Sequence, residues 1–276
     1  MSLQLAHRDL GGEGKPPLIL LHGLLGSSRN WQTVGADLAA QHHVCALDQR
    51  NHGRSPHDRE MNYPVMVDDV LRWLDERKWN EVALLGHSMG GKVAMALACR
   101  FPQRVSRLVV VDIVPKTYLS EAHRAEFAAM NELDLRSLKS RGEAELKFEG
   151  RVADWAMRKF LATNLERREA GENAAVKENA AAGGGEATGW RWAINLPALT
   201  QSLPVLEANP LSENDRFEKP TLLIKGGKSR YIEAADFEPF RRHFPNSRQL
   251  ILEKSGHNPH METRAEFAAA VLSFLA

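Results

Sequence analysis

Short apolar runs recur along this chain, and helix-like stretches of mixed polarity separate them. The runs predict six strands, at residues 18–21, 44–47, 82–85, 108–113, 221–224 and 249–252. Continuous apolar runs are typical of strands buried on both faces, and helices between successive strands favour a mostly parallel sheet. The pattern therefore predicts an α/β fold whose sheet is covered by helices on both sides.

The region from Pro115 to about Arg216 breaks this alternation. It is charged, rich in alanine and helix-like, it shows no clear strand, and it contains the sequence AAAGGG at 180–185. Because it lies between two predicted sheet strands, we interpret it as an insertion. We expect a core domain of residues 1–115 and 217–276, with residues 116–216 forming a helical cap over the active site.

The third apolar run ends abruptly in the sequence GHSMG, with Ser88 at its centre. This G-x-S-x-G pattern is typical of the nucleophile elbow of α/β-hydrolases, in which a strand turns sharply into a helix and exposes the serine hydroxyl. Gly86 and Gly90 fit the close approach of the two backbones. An apolar helix is predicted next, ending near Phe101 and Pro102. The alternative, in which Ser88 only caps that helix, is weaker because strand, turn and helix occur together.

Two further residues would complete a serine hydrolase site. His257 follows the last predicted strand, where a catalytic histidine is expected. Asp112 ends the strand that follows the serine strand, and a carboxylate there would be costly to bury without a partner. A hydrogen bond from His257 Nδ1–H would satisfy it; the alternative is that Asp112 caps the chain reversal before Pro115. Many α/β-hydrolases carry the acid after the penultimate strand, but here that position holds Ser229.

An oxyanion hole would need two backbone amides near Ser88. In α/β-hydrolases one comes from the residue after the nucleophile and the other from the loop after an early strand. These residues are Met89 and Leu24, although a register one residue away stays open for Leu24. We interpret His22, at the start of that loop, as a residue that orders the loop.

The composition of the chain limits the partners, the compartment and the cofactors that can be expected. The net charge is +1, from 36 basic and 35 acidic residues, so no strong field indicates nucleic acid or an anionic membrane as a partner. Cys45 and Cys99 fall in a predicted strand and helix and are expected to be buried thiols, which favours a cytoplasmic protein. No secretory signal or membrane-spanning run is evident, and no ligand spacing indicates a metal or cofactor. Monomer and homodimer both remain open.

Beyond the elbow, several segments together resemble the YbfF-type esterases of the α/β-hydrolase superfamily. The most specific are LDQRNHGRSPH at 47–57 and VDIVP at 111–115, and they are joined by LLHGLLGSSRNW at 20–31, MNYPVMVDDV at 61–70, MRKFLATNL at 157–165, WRWAINLPAL at 190–199, GGKSRYI at 226–232 and SGHNPHMET at 255–263. The resemblance implies the triad Ser88, Asp112 and His257, with a serine in the late acid position. The glycine-rich stretch around 183–185 departs from the family pattern.

The resulting expectation is a carboxylesterase that cleaves short-to-medium acyl esters through an acyl-enzyme. Four cap residues, Trp155, Phe160, Trp190 and Trp192, are candidates for an apolar acyl pocket, although packing of the cap is the better explanation for any one of them. A basic set in the cap, containing Arg151, Arg158, Lys159, Arg167 and Arg168, would suit an acyl-CoA thioester, but interspersed acidic residues favour a solvated helix face. A peptidase, a C–C bond hydrolase and, less favoured, a non-catalytic receptor are the alternatives.

Overall fold

The computed structural model describes residues 1–168 and 189–276. Within them the strands are β1 (His7–Asp9), β2 (Pro17–Leu21), β3 (His43–Leu47), β4 (Val82–His87), β5 (Val105–Val111), β6 (Leu165–Arg167), β7 (Trp190–Trp192), β8 (Thr221–Gly226) and β9 (Ser247–Leu252). The helices are α1 (Gln32–Leu38), α2 (Tyr63–Glu76), α3 (Met89–Arg100), α4 (Glu121–Glu132), α5 (Arg141–Lys147), α6 (Trp155–Ala162), α7 (Leu196–Glu207), α8 (Phe237–His243), α9 (Pro259–Glu262) and α10 (Arg264–Leu275).

Seven strands form one sheet in the order β1-β3-β2-β4-β5-β8-β9. The six predicted strands are its six parallel members, so the predicted mostly parallel α/β-hydrolase sheet is confirmed. The first strand, β1, pairs antiparallel with β3 at the edge. Sequence reasoning missed β1 because its three residues, His-Arg-Asp, carry no apolar signal.

Each parallel strand sends alternate side chains to opposite faces, which is why its sequence is apolar throughout. Leu18 and Leu20 of β2 pack with α1 and α10 on one face. Ile19 and Leu21 pack on the other face with α2, α3 and α8. The sheet is thus covered on both sides, as the runs predict.

Between β5 and β8 lies the cap segment, residues 116–216. It contains helices α4 to α7, whose first turns are capped by the side chains of Ser120, Ser140, Asp154 and Asn195. The prediction that this region has no strand is wrong, because β6 and β7 pair antiparallel. Strands of three residues are too short for a periodic signal. The glycine-rich stretch at 183–185 lies outside the described residues.

No helix in the two described ranges combines the length and apolar character needed to cross a bilayer.

Candidate active site

Ser88 sits at the junction between β4 and α3, where the chain reverses sharply. Its backbone has φ 51° and ψ −119°, a conformation that residues other than glycine rarely adopt. A Cβ on Gly86 would lie 2.2 Å from the Gly90 carbonyl oxygen, and one on Gly90 would lie 2.5 Å from that of Leu21. The two glycines therefore allow β4, α3 and β2 to approach closely enough to form the turn.

Asp112 follows β5, the strand beside β4, and its side chain is completely buried. Its backbone also has a positive φ, of 50°. The carboxylate receives a 2.9 Å hydrogen bond from the Gly226 amide at Oδ1 and a 2.8 Å contact from His257 Nδ1 at Oδ2. The expectation that this buried carboxylate needs partners agrees with these contacts.

Ser229 lies in the same cluster. Its hydroxyl donates to Asp112 Oδ2, the oxygen that also receives His257 Nδ1. The chain thus brings the residue of the late acid position into direct contact with the carboxylate of Asp112. Glu233 and Asp236, the next carboxylates along the chain, occupy the short helical turn before α8.

Two aromatic residues hold His257 in place. Tyr231 stacks on its ring with the centroids 3.8 Å apart and the planes 13° apart. His87 Nε2 contacts the His257 carbonyl oxygen at 2.8 Å, and burial holds the pKa of His87 well below its usual range. His87 therefore donates as a neutral ring. This agrees with the interpretation that it packs beside the site.

The loop after β2 makes a tight turn over residues 23–26, closed by a 3.0 Å hydrogen bond from the Gly26 amide to the Gly23 carbonyl. Gly23 lies directly against the elbow, since a Cβ there would be 3.2 Å from the Ser88 Cβ. Leu25 has φ 60°, and its amide donates to His52 Nε2 at 3.2 Å. The Leu25 amide is therefore already used.

A second loop, residues 47–57, braces this turn. Burial and the neighbouring His22 lower the pKa of His52 to about 3, so its ring is neutral: Nδ1–H donates to the Arg50 carbonyl and Nε2 accepts from Leu25. His22 Nδ1 contacts the Gly23 carbonyl at 2.8 Å, and its Nε2 accepts the Gln49 amide at 3.0 Å. His22 thus orders the loop, as expected. The role of His52 was missed, because a contact between two loops has no local sequence signal.

The space beside Ser88 is a cavity of about 30 Å³, roughly the room of one water molecule. Its lining is mostly apolar, with several polar groups from the cap segment: Leu24, Met89, Lys92, Ile113, Tyr118, His123, Leu203, Leu206, Glu207 and Tyr231. Leu24 and Met89, the two residues predicted to supply the oxyanion-hole amides, both lie in this lining.

The four predicted pocket aromatics are not in this lining. Trp155 is 57% exposed on α6, with Lys159 over its ring, while Trp190 is buried in β7 beside Arg167. Phe160 and Trp192 pack against the apolar core. That assignment is therefore corrected: these side chains build the cap segment, and its α4 and α7 supply the residues that face Ser88.

A buried polar network connects α3, the cap segment and His257. Lys92 Nζ donates to the carbonyls of Glu207 and Ala208 at 2.8 and 2.7 Å, at the end of α7. Burial lowers the pKa of Lys92 to about 7, and the Glu207 charge opposes this shift. The Glu207 carboxylate contacts His123 Nδ1 at 3.3 Å, and His123 Nε2 lies 3.4 Å from the hydroxyl of Tyr231.

A separate group of side chains with metal-ligand chemistry lies at the sheet edge. Asp9, His43 and Cys45 place their ligand atoms within 4.8 Å of one another. His43 Nε2 contacts Asp9 Oδ2 at 2.9 Å, and burial raises the pKa of Cys45 to about 12. The thiol is therefore protonated at neutral pH, whereas metal binding needs the thiolate. A hydrogen-bonded contact between His43 and Asp9 beside a buried thiol accounts for this group.

The sheet order, together with the position of Ser88 between β4 and α3, is that of an α/β-hydrolase. Comparison with known proteins agrees: the family model for the alpha/beta hydrolase fold matches residues 16–263, so the chain belongs to this family. Esterase YbfF of Escherichia coli (strain K12) is 29% identical, covering 94% of this chain and 92% of that protein, which confirms the resemblance to YbfF-type esterases.

Two other proteins are also similar over most of their length. The sn-1-specific diacylglycerol lipase ABHD11 of Xenopus laevis is 33% identical, covering 94% of this chain and 80% of that protein. A solved structure titled marine microorganism esterase has a TM-score of 0.89 and 31% identity, covering 99% of this chain and 100% of that one.

Proposed function

We propose that this chain is a serine carboxylesterase in which Ser88 is the nucleophile, His257 the general base and Asp112 the acid that orients it. The observation that carries the proposal is the 2.8 Å contact between His257 Nδ1 and the buried carboxylate of Asp112, next to the elbow that presents Ser88. Family members named as esterases and a lipase support an ester as the substrate.

In the proposed mechanism His257 takes the proton of Ser88 as the hydroxyl attacks the ester carbonyl. The imidazolium then protonates the departing alkoxide, leaving an acyl group on Ser88. Water activated by His257 hydrolyses this acyl-enzyme and restores the serine. Asp112 fixes the tautomer of His257, because Oδ2 accepts from Nδ1 and thereby leaves Nε2 to exchange the proton.

We assign the oxyanion hole to the amides of Leu24 and Met89. Met89 is the first residue of α3, so its N–H has no acceptor within the helix. At the other donor we favour Leu24 over Leu25, because the Leu25 amide already donates to His52 Nε2. Leu24 and Met89 line the same cavity as Ser88, as the two donors must.

The substrate we propose is an ester with a short-to-medium acyl chain. Apolar side chains of Ile113, Leu203 and Leu206 face Ser88 and suit such a chain. The cavity of about 30 Å³ is far smaller than the roughly 300–1,000 Å³ of typical ligand sites, so α4 and α7 must separate for the acyl chain to enter. The basic residues of the cap give little support to a thioester, because Arg151 pairs with Glu132 and Arg158 with Glu149.

A panel of p-nitrophenyl esters of graded acyl length, measured beside acyl-CoA thioesters, tests this proposal. We expect hydrolysis that falls steeply as the acyl chain lengthens, and covalent labelling of Ser88 by a fluorophosphonate. Ser88→Ala is the control, which should lose both signals with at least a ~10⁴-fold fall in kcat. If the folded wild-type chain is neither labelled by the fluorophosphonate nor active on any ester, the protein is a non-catalytic receptor with this fold.

A further inference from the structure

A second cavity in the described part of the chain does not contain Ser88. It has a volume of about 510 Å³, within the roughly 300–1,000 Å³ of small-molecule sites. It lies between the core and the cap segment, and it is lined by residues of β1, the turn at 23–26, the 47–57 loop and α10, together with cap residues around Asn164.

Arginine dominates the charge of this cavity. Five arginines line it, against the two carboxylates of Asp48 and Glu166: Arg8, Arg29, Arg54, Arg141 and Arg264. Both carboxylates are engaged. Asp48 accepts the Ser28 and Arg54 amides at 2.6 and 3.0 Å, and Glu166 pairs with a guanidinium of the adjacent strand at 3.5 Å. The lining therefore carries an excess of three positive charges.

Three of these guanidinium groups lack a carboxylate partner within residues 1–168 and 189–276. They belong to Arg8, Arg29 and Arg54, and the Nε of Arg8 is buried without any hydrogen-bond acceptor. The other two are occupied, since Arg141 donates to the Leu165 carbonyl and Arg264 forms a two-point ion pair with Asp37. The cavity thus presents unused donors, and a buried donor without an acceptor is costly.

We propose that this cavity is a binding site for a phosphate-bearing ligand, whose phosphate contacts Arg8, Arg29 and Arg54. The planar guanidinium fork matches phosphate and carboxylate oxygens in two-point contacts. A single carboxylate would neutralise only one of the three excess charges. A phosphate dianion or a diphosphate balances the charge better and offers more acceptor oxygens to the three forks.

The site adjoins the proposed oxyanion hole through the turn at 23–26. Leu25 and Gly26 line the arginine cavity, whereas Leu24 lines the cavity of Ser88. Asn164, which also lines the arginine cavity, reaches across from the cap segment and donates to the Leu25 carbonyl at 3.0 Å. A bound phosphate group would therefore rest against the same turn that presents the Leu24 amide.

Calorimetric titration with inorganic pyrophosphate tests the site on the whole chain. The test variant is R29Q/R54Q, which removes two exposed guanidiniums from the lining. The matched control is R241Q/R242Q, which makes the same charge change on the exposed end of α8. We expect the wild type to bind pyrophosphate with an affinity that falls as salt is added. The affinity of R29Q/R54Q should be at least about ten-fold lower than that of the wild type, and the affinity of the control should stay within about two-fold.

A second arm separates a soluble ligand from a lipid headgroup. Sedimentation with phosphatidic acid vesicles, and with phosphatidylcholine vesicles as the reference, shows whether the phosphate of a membrane lipid reaches the cavity. Pyrophosphate binding alone would identify a soluble phosphorylated ligand, and vesicle binding lost in R29Q/R54Q would identify a lipid. The proposal is overturned if neither probe binds, or if R29Q/R54Q and the control behave alike. Because ester hydrolysis is not measured, failure of the proposed esterase activity would leave this result unaffected.

Discussion

Ser229 and Asp112 come from the ends of two different strands, and the hydroxyl of Ser229 donates to Asp112 Oδ2. The same oxygen receives His257 Nδ1. The two positions at which an α/β-hydrolase could carry its acid therefore meet at one point, within reach of one imidazole. This contact supports the proposed placement of the acid directly after β5, with a polar side chain kept in the late position.

The first prediction concerns moving the acid between these positions. Asp112→Asn should lower kcat by about 10⁴-fold, because the amide no longer stabilises the imidazolium and disturbs its tautomer. Adding Ser229→Asp should restore kcat at least about ten-fold, because the new carboxylate lies beside the former Oδ2. Ester hydrolysis at saturating substrate measures both.

Ser229→Asp alone is the control for the relocated acid. It places two carboxylates in contact in a buried site, so it should lower both stability and activity. If the double variant is no more active than Asp112→Asn, or if Asp112→Asn retains near-full activity, the assignment of Asp112 as the acid is wrong.

The second prediction concerns strain at Ser88. The backbone conformation of Ser88 destabilises the folded state by about 1–3 kcal/mol when the residue is not glycine. Ser88→Gly should therefore unfold at a higher urea concentration than Ser88→Ala, although both are inactive. The matched pair is Ser273→Gly and Ser273→Ala in α10, where glycine should be the less stable by about 1 kcal/mol. If the glycine variant is the less stable of the two at position 88 as well as at position 273, the Ser88 backbone is not strained.

The third prediction concerns the contact by which His52 braces the turn at residues 23–26, which carries the proposed oxyanion donor Leu24. His52→Leu removes the acceptor of the Leu25 amide, so the Leu24 donor loses its fixed orientation. We expect kcat to fall about ten-fold, less than the 10²–10³-fold cost of deleting an oxyanion donor, with little change in KM. His42→Leu, at another buried histidine, is the control and should leave kcat unchanged. Equal losses in the two variants would contradict the brace.

The fourth prediction concerns the buried carboxyl of Glu126 in α4. Burial, aided by the charge of Asp154, raises its pKa from 4.5 to about 7. Between these values the folded chain keeps a proton that the unfolded chain has released, so stability falls as pH rises from about 4.5 to about 7. Glu126→Gln should remove this dependence and stabilise the protein at pH 8 by on the order of 3 kcal/mol.

Urea unfolding at several pH values checks the Glu126 prediction. The advantage of Glu126→Gln should shrink towards pH 4, where both folded and unfolded Glu126 are protonated. Glu121→Gln, on the exposed start of the same helix, is the control and should show no such pH dependence. A difference between wild type and Glu126→Gln that is constant with pH would refute the raised pKa.

The parallel core could be predicted from the sequence because burial on both faces leaves a continuous apolar run in each strand. The elbow could be predicted because close backbone approach requires glycine at positions 86 and 90. The pairing of Asp112 with His257 followed from the cost of a lone buried charge. The strands and the elbow are local constraints that fix the types of a few adjacent residues, whereas Asp112 could be paired only because a buried carboxylate demands a partner.

The remaining parts depend on contacts between distant segments. His52 braces Leu25 across 27 residues of chain, and His123 of α4 meets Tyr231 of the core across 108. The four cap aromatics were assigned to the pocket for a related reason: the same apolar side chain suits both packing and the lining of a pocket. Only the three-dimensional arrangement decides which of the two it does.

Lys92 belongs to the core, yet its ammonium acceptors are backbone carbonyls at the end of α7 in the cap segment. The cap is therefore not an interchangeable module. A chimera that received a cap of different length would leave this buried ammonium without acceptors, so grafting a foreign cap onto this core requires Lys92 to be replaced at the same time. Natural exchange of caps on such a core would face the same condition.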